Sequence, residues 1–274
     1  MESEIMINTK LFNDFERYVQ QNILSAFTAQ QTEKFKIYFD ALKEWNEKFN
    51  LIHFKTDEEL LYRHFADSLH SAKVITEILS KQQALKQGLL PLASKSAVSN
   101  TVKSIKVVDL GSGSGMPGIP VKIALPQLNM TLVESITKKC TFLEDANKRL
   151  GFDIKVLNLR AEEIGQSPNY RQRIDFVLSR AVSKLSPNLE IAIPLLKIGG
   201  YFIVHKTKNS AESLEEGLPS VENALKQLGA KLEKVIPYKL PNQELDYCLL
   251  VFKKHKNTPQ QYPRKTGIPE KKPL

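Results

Sequence analysis

The chain has 274 residues, 42% hydrophobic and 25% charged, which is enough to bury a sizeable core, and no apolar run approaches the roughly 18 residues of a membrane span. The start, MESEIMINTKLFNDF, lacks a basic-then-apolar leader, and the two cysteines, Cys140 and Cys248, lie far apart in apolar patterns, so a reduced, cytoplasmic protein without disulfide framework or zinc site is expected. The net charge of +9 is uneven: from Lys253 to Leu274 seven Lys or Arg face one acid, Glu270, which suits either a polyanionic partner or a solvated tail.

Leu11, Phe15, Val19, Ile23 and Phe27 recur every four residues as one helical stripe, and Phe35, Tyr38, Phe39, Leu42, Trp45 and Phe49 form a second. The segment TDEELLYRHFADSLHSAKVI opens with a capping-box pair, Thr56 and Glu59, ahead of Leu60, Leu61, His64 and Phe65. These aromatics read as core rather than as a base-stacking platform. Residues 1–79 are therefore a helical extension. Residues 80–104, rich in Ser, Gln and Lys without an apolar period, read as a variable connection.

From 105 to 255, short β-branched runs alternate with helical patterns. Strands are expected at 105–110, 130–135, 153–159, 175–180, 201–206, 231–240 and 247–255, with helices at 116–126, 137–151, 185–200 and 211–229. Such alternation implies right-handed crossovers and an α/β, Rossmann-like, mostly parallel sheet. The last two runs are joined by too few residues for a crossover, so they should form a C-terminal antiparallel hairpin. Residues 256–274 are left as a basic tail.

GSGSGMPG (111–118) follows the first strand, where open α/β sheets bind ligands. Gly113, Gly115 and Gly118 satisfy the dinucleotide pattern GxGxxG, and Glu134 lies where a ribose-binding acid would. Asp109 argues for another ligand. A carboxylate there repels a pyrophosphate, but it can order the loop or meet the cationic groups of S-adenosylmethionine. The methyl donor is favoured over a dinucleotide, and a tight turn without ligand remains a third reading. No N/D-P-P-Y tetrapeptide follows the fourth strand, and no Pro-Cys loop exists, which disfavours methylation of an exocyclic amine or of a pyrimidine carbon. A ring nitrogen such as guanine N7 has its lone pair free, so no general-base residue is required; alignment and water exclusion suffice. Lys138, Lys139, Arg160, Arg180 and Lys206 fall near strand ends as candidate phosphate contacts.

The segments WNEKFNLI, RHFADSL, VVDLGSGSGMPGIPVKIA, LVESITKKCTFL, RAEE, FVLSRAVSKL, PLLKIGGYFIVHK and YPRKTGIPEKKPL occur in the order found in the glucose-inhibited division protein B family, which the chain resembles from about residue 35 onward. The resemblance implies a bacterial 16S rRNA guanine-N7 methyltransferase of the class I S-adenosylmethionine fold, acting on the small ribosomal subunit as a monomer without metal. It implies cofactor contacts at Gly111 and Met116, at Ala161 and Glu162 beside the adenine, at Glu134 to the ribose and at Arg180; Asp109 and Gly113 join them from the loop reading. Lys138, Arg160, Lys206, Arg264 and Lys265 are the candidate rRNA contacts. Asn50, His64 and Asp67 match family positions, His64 reading best as a histidine that packs the extension onto the sheet. Thr207 stands where the family usually has glycine, and Met116 where it has Phe or Leu. The competing classes are a non-catalytic rRNA-binding assembly factor and a dinucleotide-dependent oxidoreductase.

Overall fold

The computed structural model describes residues 2–88, 104–180, 184–207 and 221–274. Helices α1 (Glu2–Asn22) and α2 (Ala29–Lys48) precede α3 (Asp57–Glu59), which runs through a π-helical segment (Leu60–Ala66) into α4 (Asp67–Gly88). Then β1 (Lys106–Leu110), α5 (Gly118–Ala124), β2 (Asn129–Glu134), α6 (Thr137–Arg149), β3 (Lys155–Asn158), α7 (Ala161–Gln166), β4 (Ile174–Arg180) and α8 (Leu185–Ala192) alternate. A 3-10 turn (Ile193–Leu195) leads into β5 (Leu196–Thr207); α9 (221–228), β6 (Ala230–Tyr238), β7 (Tyr247–Lys254) and α10 (Ile268–Lys271) follow.

The seven strands lie in the order β3-β2-β1-β4-β5-β7-β6. The first five pair in parallel, and β7 pairs antiparallel with both β5 and β6, as expected from the short last connection. The strand order reverses between β1 and β4, with later strands added on the other side of β1, so the crevice beyond their carboxyl ends is the switch point.

Strand alternation builds a three-layer molecule. Val107, Leu132, Leu178 and Ile203 enter one core, whereas their neighbours Val108, Val133, Val177 and Val204 enter the other. The first core also takes Phe12, Phe15, Phe35, Tyr38 and Phe65, so the helical extension is one layer of the domain and its aromatics are core. Phe15 meets Phe35 edge-on at 5.5 Å, and Tyr38 stacks on Phe65 at 5.2 Å.

Several boundaries differ from those expected. The helix continues past residue 79 to Gly88, because KQQALK (81–86) consists of strong helix formers; 89–103 lie outside the described residues. Helix α8 stops at Ala192 instead of running to 200. Pro194 sits in the following 3-10 turn, and β5 begins at Leu196. The extra strand residues are absorbed at Gly199, with φ +81°, where the β4–β5 register shifts. The helix expected over 211–229 is seen from 221 to 228, and its first part lies outside the described residues. Thr56 caps as expected, accepting from the Glu59 amide at 3.1 Å, but the Glu59 carboxylate reaches the Lys55 amide. The complete capping box is Thr28 with Gln31.

Candidate functional site

The glycine loop leaves β1 and is stitched to its neighbours. The Gly111 and Ser112 amides donate to Val133 O at 2.9 and 3.0 Å, and the Val133 amide donates to Ser112 Oγ at 3.2 Å. Gly113, at φ +57°, turns its amide onto Glu134 Oε2 at 2.9 Å; the other carboxylate oxygen accepts from the Ile136 amide at 2.8 Å. Gly115, at φ +89°, has no room for a side chain: a Cβ would fall 2.5 Å from Ile119 and 2.8 Å from the Tyr38 hydroxyl. That hydroxyl donates to Ser114 O, so α2 clamps the loop from behind.

Asp109 lies beneath the loop, fully buried. Its Oδ2 accepts from the Gly118 amide at 3.0 Å, which starts α5, and its Oδ1 is buried without a hydrogen-bond partner. Burial pushes the carboxyl up to about 7, against the pull of the Gly118 amide, Ser112 and Arg180. Asp109 therefore orders the loop, one of the two roles expected of it.

Beside the loop is a cavity of about 220 Å³ whose wall includes Gly111, Glu134, Arg160, Ala161, Glu162 and Glu270. The structure thus unites Gly111, Glu134, Ala161 and Glu162, and it also brings in Arg160, which the sequence had pointed toward phosphate. Three carboxylates around one cavity suit a ligand rich in N–H and O–H donors and oppose a pyrophosphate. A sugar with free hydroxyls and an amino-bearing heterocycle fit that donor set. The glycine cradle and the orphaned Asp109 oxygen fit a ligand whose remaining groups include cations. S-adenosylmethionine meets both requirements, whereas a dinucleotide brings a pyrophosphate that the carboxylates oppose.

Arg180 ends β4, beyond the first cavity. Its Nη2 lies 3.3 Å from the Met116 sulfur and donates to His64 Nδ1 at 3.1 Å; its Nη1 donates to Asp67 Oδ2 at 3.1 Å. His64 Nε2–H donates to His53 O at 3.1 Å, which fixes the tautomer and leaves Nδ1 as the acceptor for Arg180. Burial and then the Arg180 guanidinium hold His64 down to about 4, so it is neutral, a histidine that packs the extension onto the sheet as expected.

Asp67 also accepts from the Tyr238 hydroxyl at 2.5 Å and lies 3.4 Å from His205 Nδ1, while His205 Nε2 meets Ser71 Oγ at 2.7 Å. Burial works against its charge, but His205, Arg180 and Tyr238 outweigh it and keep Asp67 well below the usual carboxylate range. A second cavity of about 330 Å³ opens here, lined by Arg63, His64, Asp67, Arg180, Lys206 and Tyr247 among others. The Tyr247 hydroxyl is buried beside Arg63 but outside hydrogen-bonding geometry. His205, Tyr238 and Ser71 escaped the sequence reading, since they come from β5, β6 and α4 and no spacing links them. The π-helical turn that carries His64 has no sequence signature either, although such turns recur at functional sites.

The remaining candidates are scattered. Lys138 is exposed in the first turn of α6, Arg160 is exposed just before α7, and Lys265 is exposed near the C-terminus; Asn50 is exposed after α2. Arg264 departs from expectation. Its guanidinium is engaged by Glu190, whose side chain is 0% exposed, through Nε at 2.8 Å and Nη2 at 2.5 Å, so it anchors the C-terminal segment. The basic tail is likewise no free arm: Tyr262, Pro263 and Pro269 are buried. Among the described residues no helix is long and apolar enough to cross a membrane.

A family model described as rRNA small subunit methyltransferase G matches residues 31–85 and 80–232. The chain is similar to the Ribosomal RNA small subunit methyltransferase G of Acetivibrio thermocellus, at 37% identity over 246 residues and 89% of each chain. With the protein of that name from Clostridium novyi it shares 34% identity over 270 residues, 98% of this chain and 100% of the other. With the one from Streptococcus pneumoniae serotype 19F it shares 39% over 246 residues, covering 89% and 92%.

Proposed function

The chain belongs to the rRNA small subunit methyltransferase G family, and on that premise we propose that it transfers a methyl group from S-adenosylmethionine to N7 of a guanine in 16S ribosomal RNA. The observation that carries this reading is a pair of cavities: one beside the glycine loop with three carboxylates in its wall, the other lined by Arg63, Arg180 and Lys206, with Arg180 reaching from that second cavity to Met116 of the loop.

In the first cavity Glu134 accepts the ribose hydroxyls, and Ala161 and Glu162 flank the adenine. Gly111 lines this cavity, Gly113 holds Glu134 through its amide, and Asp109 fixes the loop from below; Met116, against Arg180, stands at the side of the acceptor. S-adenosylmethionine, when bound, supplies an electrophilic methyl group on a sulfonium. The second cavity takes the acceptor base. Arg63, Arg180 and Lys206 give it cations for the flanking backbone phosphates and for the guanine O6.

An N7 acceptor needs no general base, and of the described residues around this cavity His64 and Asp67 are already engaged. The His64 lone pair already accepts from Arg180, and Asp67 is occupied by Arg180, Tyr238 and His205. An N7 lone pair needs no deprotonation, whereas an exocyclic amine must lose a proton. The site is therefore built for alignment and water exclusion.

The test is to incubate the full chain with labelled methyl donor and small subunits from cells that lack the modification, and then to map the label by chemical cleavage at N7-methylguanine. Label confined to one guanine N7 of 16S rRNA is expected. Label on an exocyclic amine or on protein overturns the reading.

A further inference from the structure

The C-terminal segment crosses back over α7 and α8 and is pinned at several points. The buried Arg171 guanidinium donates to Thr258 O and Pro259 O, both at 3.0 Å, and Gln166 Nε2 donates to Pro263 O at 2.6 Å. A Cβ on Gly165 would fall 2.6 Å from Pro263 Cγ, so α7 and this segment touch without a gap. Arg264 binds the buried Glu190, and Ser186 Oγ donates to Leu274 O at 3.2 Å. Between these pins the chain passes the first cavity. The Gly267 amide donates to Glu162 Oε1 at 2.9 Å, and Glu270 contributes to the cavity wall. Glu270 is also the only acid after Asp246, in a stretch otherwise charged by lysines and arginine.

We propose that the segment Arg264–Leu274 is the outer wall of the adenosine site and that Glu270, together with Glu162, accepts hydrogen bonds from the adenine 6-amino group. This rests on the reading of the first cavity as the S-adenosylmethionine site.

The chemistry of the wall assigns the ends of the cavity. Val133, Leu159 and Ile191 give it apolar sides suited to a flat heterocycle. Glu134, tied to the glycine loop through Gly113, belongs to the sugar end. Glu162 and Glu270 stand on α7 and α10, and ionised carboxylates only accept, so the base edge they select is one that presents N–H. Adenine offers an amino group there. A hypoxanthine offers a carbonyl oxygen and meets two anions, and such polar mismatch discriminates strongly. Gly267, at φ +79°, supplies the turn that presents both its own amide and α10 to the cavity.

The experiment is calorimetric titration of the full chain with S-adenosylhomocysteine and with S-inosylhomocysteine, for the unaltered protein and for Glu270→Ala, Glu270→Gln and the neighbouring control Glu163→Ala. Glu270→Ala is expected to weaken the adenosyl ligand by roughly tenfold, the effect of one lost charge-assisted hydrogen bond, and to leave the inosyl ligand no weaker. Glu270→Gln, which keeps an acceptor oxygen, should recover part of the loss, and Glu163→Ala should bind as the unaltered protein does. Glu270 is exposed, so the melting temperature without ligand should not change, which separates a binding effect from a folding one. Unchanged adenosyl affinity in Glu270→Ala, or equal weakening for both ligands, overturns the proposal. If the unaltered protein binds neither ligand, the cofactor reading fails with it.

Discussion

Asp109 and His64 are buried and His70 is half-buried with its Nε2 shut away from water, and all three contribute to the pH response of the fold. Burial raises Asp109 to about 7, so between pH 4 and 7 the folded chain holds a proton there that the unfolded chain has lost. Its contribution to stability is present at low pH and disappears as pH rises toward 7. The two histidines act in the opposite sense. Burial holds both down to about 4, so stability is full above about pH 6.5 and is lost as pH falls toward 4. Near pH 5 two histidines oppose one carboxyl, and from these three groups unfolding takes up about one proton. Urea midpoints measured from pH 7 to 4.5 should fall accordingly. Asp109→Asn should steepen that fall toward two protons while raising stability at pH 7, and a slope unchanged by the substitution would refute the assignment. A second residue-scale expectation concerns Arg180. Arg180→Ala leaves Asp67, with 5% of its side chain exposed, without its guanidinium partner, at a cost of about 3–5 kcal/mol in denaturant unfolding. It should also abolish methyl transfer, because the same guanidinium spans loop and acceptor cavity.

At the scale of elements, the parts that were legible in the sequence are those governed by a local period. The strands Lys106–Leu110 and Asn129–Glu134 and the helix Thr137–Arg149 follow from apolar patterns, and the GSGSGMPG loop from its glycines. What stayed illegible depends on long-range company. Nothing near Glu190 in the sequence says that an acid in the apolar helix LSPNLEIA finds Arg264 across 74 residues, or that Lys254 reaches Ile193 O at 3.1 Å. Arg264 reads as a phosphate contact in the sequence because composition does not record which cations already have an acid to meet. The two roles for Arg264 are separable. As an anchor, Arg264→Ala strands a fully buried carboxylate and should destabilise the chain by about 3–5 kcal/mol, and an apolar pair at Glu190 and Arg264 should restore much of that. As a phosphate contact it would lower rRNA affinity with no change in melting. Thermal unfolding beside a filter-binding assay decides between them.

For the whole molecule, the net charge of +9 is not spread evenly over the solvent-facing side. Lys265, Lys271 and Lys272 are exposed on the segment whose inner side meets Glu162, and Arg160 is exposed at the rim of the same cavity. A polyanion drawn to these cations therefore presses on the wall of the cofactor site. Each lost phosphate contact lowers the slope of log affinity against log salt by about 0.7–0.9, so Lys265→Ala, Lys271→Ala and Lys272→Ala combined should reduce it by about 2–3 for a 16S rRNA fragment. Binding at one end of such a wall is reciprocal with binding at the other: if rRNA tightens S-adenosylhomocysteine, the ligand must tighten rRNA by the same factor. The expected factor is several-fold in the unaltered chain and close to one in the triple variant, whose ligand affinity without RNA should be unaltered because the lysines stand on the outer side. Calorimetry of S-adenosylhomocysteine with and without the fragment measures it. A triple variant that keeps both its salt slope and its coupling would place the rRNA elsewhere, on Lys138 at the start of α6 and Lys206 at the end of β5.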